Sequence, residues 1–211
     1  MAVEYISTIV ITASPQTVTV PTDATLAVLF GSEYSSNATP TLNSVSLILA
    51  EDANYGGGEY TMSIFYLANP ATGSISLVWQ TDSFNYGNYL AFFKGVDTAS
   101  PILSAIGANG PATSPISGLT ATANDMMVGL NFNNYGSGPS VSTDSQTQIG
   151  YTESRAAAGY KLGSTTFSWV YSNGNPCVSV AATIKALEAS ATGLPRRALS
   201  GPFYGSLRGS V

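Results

Sequence analysis

The chain contains no histidine, a single cysteine and very little charge. Without histidine there can be no Ser-His-Asp or Cys-His pair, no histidine-ligated zinc and no ordinary general base near neutral pH. One cysteine, Cys177, excludes an intrachain disulfide and reads as a small buried apolar residue. Charged side chains make up 9% of the 211 residues, against about 25% in an average soluble protein. Ser, Thr, Asn, Gly and Tyr must therefore form much of the surface. No apolar run approaches the ~20 residues of a membrane helix, and no P-loop or dinucleotide fingerprint is present. The opening MAVEYISTIVI carries Glu4 where an export signal has basic residues, so no signal peptide is expected.

What is present is strand-like text throughout. From Thr61 to Val96 three runs are separated by turn-rich gaps. In the second run Ile75, Leu77 and Trp79 alternate with Ser76, Val78 and Gln80, the period of a strand with one buried face. The runs on either side, Met62 to Leu67 and Tyr89 to Val96, are apolar on both faces, and the three together predict a β-meander. Earlier strands are expected over Ile6–Thr12, Thr17–Val20, Leu26–Phe30 and Val45–Ala50, with loops at Gly31–Pro40 and Glu51–Glu59. Asp97 to Leu119, rich in Ala, Gly, Ser and Pro, reads as a long irregular crossing between sheets. Later strands follow from Asp125, where Met126, Val128, Leu130 and Phe132 share a face, then at Gln146–Thr152 and Ala158–Leu162, with one helical turn at Glu153–Ala157 between them. Thr166–Ser172 places Phe167, Trp169 and Tyr171 on one face, and Val178–Leu187 is the last strand.

About ten strands without a long helix predict an all-β, two-sheet antiparallel sandwich over residues 1–188. The long middle crossing favours a jelly roll, and the missing cysteine pair disfavours an immunoglobulin-like domain. No repeat stands out at the periods of solenoids or propellers. The remaining residues, 189–211, read as an extended C-terminal arm. All twelve acids precede it, and three of the seven basic residues lie within it, giving a body of formal charge −8 and an arm of +3.

For chemistry, only Glu51, Asp52 and Glu59 form an acidic cluster. A carboxylate pair hydrolyses glycosides in many enzymes, and oxygen ligands can hold calcium. This cluster lacks the spacing of calcium loops and reads as a solvated loop. No catalytic residue, cofactor or metal is expected. Tyr34, Tyr55, Phe84, Asn85, Tyr86, Asn88, Asn133, Asn134 and Tyr135 are aromatic and amide residues assigned to loops, where they suit sugar or protein contacts. An acidic body disfavours nucleic acid. In the arm, Arg196, Arg197, Leu199, Phe203, Tyr204, Leu207 and Arg208 combine arginine forks with apolar anchors that have no local core to enter, a pattern suited to binding a partner subunit.

The segments SIFYLANPATGSISLVWQTD, NYLAFFKGVDTASPI, ANDMMVGL and SVAATIKAL resemble a sandwich module of tailed-phage virion proteins and bacterial surface proteins. The ending PRRALSGPFYGSLRGSV resembles the arginine- and glycine-containing tails of phage structural proteins. The resemblance implies a non-enzymatic virion part made in the host cytoplasm, foremost a capsid decoration (cement) protein that binds neighbouring capsid subunits as a homo-oligomer. A tail or fibre component, or an adhesin module that binds carbohydrate, is the alternative. A particle protein also reconciles a surface of extracellular type with the absent signal peptide. No membrane contact is expected.

Overall fold

The structure, a computed structural model, describes residues 1–34, 38–55, 60–79, 87–110, 115–133, 140–141, 146–152, 156–170 and 177–188. Among them there is no helix. The first half contributes β1 (Glu4–Ile11), β2 (Gln16–Val20), β3 (Leu26–Tyr34), β4 (Thr41–Leu42), β5 (Val45–Ser46), β6 (Ile48–Tyr55), β7 (Tyr60–Ala68), β8 (Gly73–Val78) and β9 (Asn88–Lys94). The second contributes β10 (Ile102–Gly110), β11 (Ile116–Ser117), β12 (Met126–Asn133), β13 (Ser140–Val141), β14 (Thr147–Thr152), β15 (Ala156–Leu162), β16 (Thr166–Phe167), β17 (Trp169–Val170) and β18 (Cys177–Ile184).

Two five-stranded antiparallel sheets form the sandwich. Their orders are β1-β9-β3-β7-β6 and β10-β18-β12-β15-β14. Leu26, Val28 and Phe30 of β3, with Tyr89, Ala91 and Phe93 of β9, meet Val128, Leu130 and Phe132 of β12 and Val178, Val180 and Ala182 of β18 in a central core. Both sheets also bury their outer faces. A four-stranded sheet, β2-β8-β4-β5, covers the first, where Val18, Leu77 and Trp79 pack on Leu29, Leu90 and Phe92. Two short pairs, β11-β16 and β13-β17, cover the second, where Phe167 and Trp169 pack with Met127, Ala157 and Ala181. Hence β9 and β18 are buried along almost their whole length, as strands covered on both faces must be.

Several expectations hold. Leu77 and Trp79 are buried and Ile75 is half-buried against the same cluster, with Ser76 and Val78 exposed. Phe167 and Trp169 are buried with ring centroids 4.5 Å apart, and Tyr171 lies outside the described residues. Met126, Val128, Leu130 and Phe132 share the central face, and Cys177 is buried on β18.

Others are corrected. The three runs between Thr61 and Val96 are not a meander. Both edges of β7 are taken by β3 and β6, and both edges of β9 by β1 and β3, so β8 crosses to the covering sheet and pairs with β2 and β4. Asp97–Leu119 is not an irregular crossing, because β10 pairs with β18 along its length. Its small residues answer to packing: a methyl group at Gly107 would lie 2.6 Å from the Asp52 carbonyl oxygen. The loop assigned to Glu51–Glu59 is strand as far as Tyr55, and β3 runs on to Tyr34. Ala156 and Ala157, given to a helical turn, are in β15. Thr166–Ser172 splits into two short strands with different partners.

The five-stranded sheet of the second half repeats that of the first strand for strand, while the covers differ, one four-stranded sheet against two strand pairs. Val28 pairs with Tyr66 as Val128 pairs with Tyr160. Leu26 and Phe93 correspond to Met126 and Ile184, and Gln16 and Leu77 to Ile116 and Phe167. Register shifts fall at matching places, between Tyr5/Ser7 and Ile102/Ser104 on the first strands and between Leu49/Glu51 and Gln148/Gly150 on the edges. Asn69 and Gly163 both have positive φ, and their N–H groups donate to the carbonyls of Thr25 (2.9 Å) and Asp125 (2.8 Å). Each half lays one tryptophan across its third strand. A methyl group at Gly31 would run into the Trp79 ring, and one at Gly129 would lie 2.9 Å from the Trp169 ring.

Removing either indole should leave a cavity that costs about 3–5 kcal/mol. Urea unfolding of Trp79→Ala and Trp169→Ala checks this; an unchanged midpoint in either would deny that ring its place under a covering sheet. The Met1 ammonium donates to the Leu187 carbonyl at 3.0 Å. A permutant joining Glu188 to Met1 by a short linker and opened between Thr98 and Ala99 should therefore keep the fold. The expected loss is at most about 1 kcal/mol, roughly 2–4 °C in Tm, and a non-cooperative melt is the contrary result.

Candidate interaction surface

The seven arm residues singled out from the sequence, Arg196, Arg197, Leu199, Phe203, Tyr204, Leu207 and Arg208, lie outside the described residues, as does Glu59. The other two acids of the predicted cluster lie on β6, where Glu51 is half-buried and Asp52 exposed. Successive strand residues point to opposite faces, so these carboxylates do not converge on one ligand. Among the described residues no three Asp, Glu or Cys side chains are close enough to share a metal ion. Asn88, assigned to an exposed loop, is fully buried on β9. Its Oδ1 accepts the Ser32 N–H at 2.8 Å and the Ser32 hydroxyl at 3.3 Å. It is a core polar group rather than part of a sugar platform. Phe84, Asn85, Tyr86, Asn134 and Tyr135 lie outside the described residues.

Where Met1 meets the residues after β18, a cleft of about 460 Å³ opens between Met1, Leu103, Thr120, Asn124, Lys185 and Leu187. The polar groups around it are committed to the fold. Asp125, which the sequence marked only as a strand start, accepts the Thr122 N–H on Oδ2 and the Ala186 N–H on Oδ1, each at 2.7 Å. Burial pushes its carboxyl up, but the Ala186 and Thr122 donors outweigh burial and hold it below the ordinary value. The Lys185 ammonium, 2.8 Å from Asp97, likewise draws that carboxyl down and is itself raised by it. These bonds tie β18 and the approach to β12 to the turn between the halves. The cleft is thus a seam of the fold. At the far end of β9, Lys94 bridges Glu4 at 3.2 Å and Asp23 at 3.4 Å in an exposed setting, where such pairs add little.

Among the exposed large apolar side chains, which also include Val10, Val78, Leu103, Leu162 and Leu187, three fall within five residues as an apolar strip on the β5–β6 edge. Val45, Ile48 and Leu49 are 51%, 53% and 48% exposed, beside Glu51 and Asp52. Nothing in the text VSLILA signals this exposure, because it reads as an ordinary strand. Only Leu47 of that run is buried. The repeat supplies a comparison within the molecule: the β14 counterparts of Ile48 and Leu49 are Thr147 and Gln148. Both are exposed. The same edge position thus folds with polar residues, and packing alone does not call for the apolar strip.

No family model, curated protein or solved structure matches the chain.

Replacing Asp125 by Asn exchanges one acceptor for a donor that faces a backbone N–H, and should cost about 1–3 kcal/mol. The native carboxyl lies below its unfolded value, so its stabilisation is complete above the unfolded value. That contribution disappears as pH falls from about 4 through the native value. Asp125→Asn should therefore show a shallower loss of Tm between pH 5 and pH 2 than the parent protein. Parallel Tm–pH curves would deny the carboxylate this role.

Proposed function

We propose that the protein is a non-enzymatic structural component of a virus particle, foremost a capsid decoration protein seated on neighbouring capsid subunits. The observation that carries this reading is the exposed Val45-Ile48-Leu49 strip beside acidic residues, on a body opposite in charge to its own C-terminal arm. Exposed apolar strips rimmed by polar groups mark protein–protein contact, and arginine with aromatic anchors carries most interface energy. Three further features support it. The chain has no histidine, Glu51 and Asp52 sit on successive strand residues, and its text resembles phage structural modules and tails. Strands that alternate between a central sheet and its cover, in the order β1-β9-β3-β7 against β2-β8-β4-β5, suit a jelly roll in the first half, an architecture found in capsid proteins.

In this reading Arg196, Arg197, Leu199, Phe203, Tyr204, Leu207 and Arg208 form the arm that grips a neighbouring subunit. Many arms in one assembly add by effective concentration, so a modest single contact suffices. Mass spectrometry of purified particles tests the role. Hundreds of copies per particle are expected of a decoration protein, a few to a few dozen would place it in a tail or fibre, and absence from particles would end the proposal. Deleting Leu194–Val211 should leave thermal unfolding near normal and abolish joining to particles. Full occupancy by the truncated protein would show that the arm is not the anchor.

A further inference from the structure

The repeat between the two five-stranded sheets makes each a control for the other. Most central-core positions keep an apolar character in both halves, although Ser32 stands where Phe132 does and Gln16 where Ile116 does. Val28 and Val128 are buried in the central core. Leu77 and Phe167 lie under covers, and Ala50 and Ile149 pack beneath the two edges. Ile48 and Leu49 depart from this pattern. They are apolar and half exposed where Thr147 and Gln148 stand in the other half. Among the described residues the edge they occupy is open, because β6 ends its sheet and has one hydrogen-bonded neighbour there, β7. Toward its C-terminal end it is occupied: Asp52 abuts β10 at Gly107, and the Asn54 carbonyl accepts the Asn109 amide at 2.6 Å. Val45 and Ser46 pair with β4 and the Leu47 N–H donates to the Pro40 carbonyl, so the stretch left for a partner among the described residues is Ile48 to Glu51.

From this contrast we infer that the β5–β6 edge receives the C-terminal arm of a second copy of this chain, laid along it as an extended segment. The inference rests on the arm-mediated reading above and names the receiving surface and the partner. Its occupant is set by chemistry. The arm has three arginines and no acid, and Phe203, Tyr204 and Leu207 as anchors. The edge offers apolar side chains next to Glu51 and Asp52. Edge addition of this kind draws affinity from backbone hydrogen bonds and specificity from alternate side chains. The chain continues for 23 residues past Glu188, about 75 Å when extended, enough to reach an adjacent molecule. Unlike the second half, the first leaves its edge apolar, so each chain offers one arm and one receiver. Such a head-to-tail contact closes into rings or propagates around a shell.

The test transplants the second half's residues into the first. Full-length protein should self-associate reversibly in sedimentation velocity, more weakly as salt rises. Ile48→Thr/Leu49→Gln should melt as the parent does and associate about tenfold or more weakly. Asp52→Lys, a change at an exposed position, should weaken association with the fold intact. An excess of a synthetic peptide of residues 194–211 should dissolve the parent's assemblies and leave the double variant's sedimentation unchanged. A full-length protein that stays monomeric, or association indifferent to both variants and to the peptide, overturns the inference. If arm-dependent joining to particles persists in that case, the arm lands on a different subunit and the functional reading survives. If both are lost, the reading falls with it.

Discussion

Everything in this fold depends on two sheets that are apolar on both faces. A sheet with one buried face can meet water on the other, but β9 and β18 are buried nearly end to end, and hydrophobic burial is the dominant favourable term in folding. Pairing the two sheets with each other satisfies only one face of each. The second face requires a cover, supplied in one half by β2, β8, β4 and β5 and in the other by the short pairs led by β11 and β16. The indoles of Trp79 and Trp169 are the main volume of those covers, and each lies where the third strand of its half has a glycine. Few residues in such an arrangement belong purely to the surface.

The sequence carries this layering more openly than a count of strands conveys. Continuous apolar text at Leu26–Phe30, Met62–Leu67 and Tyr89–Phe93 marks the central layer, and the alternation of Ile75 to Val78 marks a cover. The strands were legible from these patterns, and so were the core faces of β8 and β12. The pairing was not. Neighbours in sequence invite a meander, and only the occupied edges of β7 and β9 exclude it. β10 was invisible because ILSAIGANG is held by pairing and close packing against β6 rather than by its own strand preference. The arm remains a matter of composition. The β5–β6 strip could not be found from text, since an apolar run looks the same whether its residues are buried or bare.

The repeat was hidden for a different reason. Loops of unequal length separate its elements, so the spacing between counterparts drifts from 100 residues at Leu26 and Met126 to 90 at Leu77 and Phe167. Side chains at counterpart positions also differ, while two register shifts and the positive-φ turn at Asn69 and Gly163 are shared. Backbone geometry is thus the more durable record: a bulge redirects a whole strand edge, whereas a core accepts many volume-conserving exchanges.

Some of those exchanges bear on which halves can pack together. In the central core the first half presents Met62, Ile64, Tyr89 and Phe93 where the second presents Ala156, Ala158, Val180 and Ile184. Bulk on one side meets room on the other. Two first halves brought together would crowd ring against ring, and two second halves would leave voids, each a penalty of kilocalories. Volume alone thus favours a first half packed on a second half over either half packed on its like, without any charged or polar code.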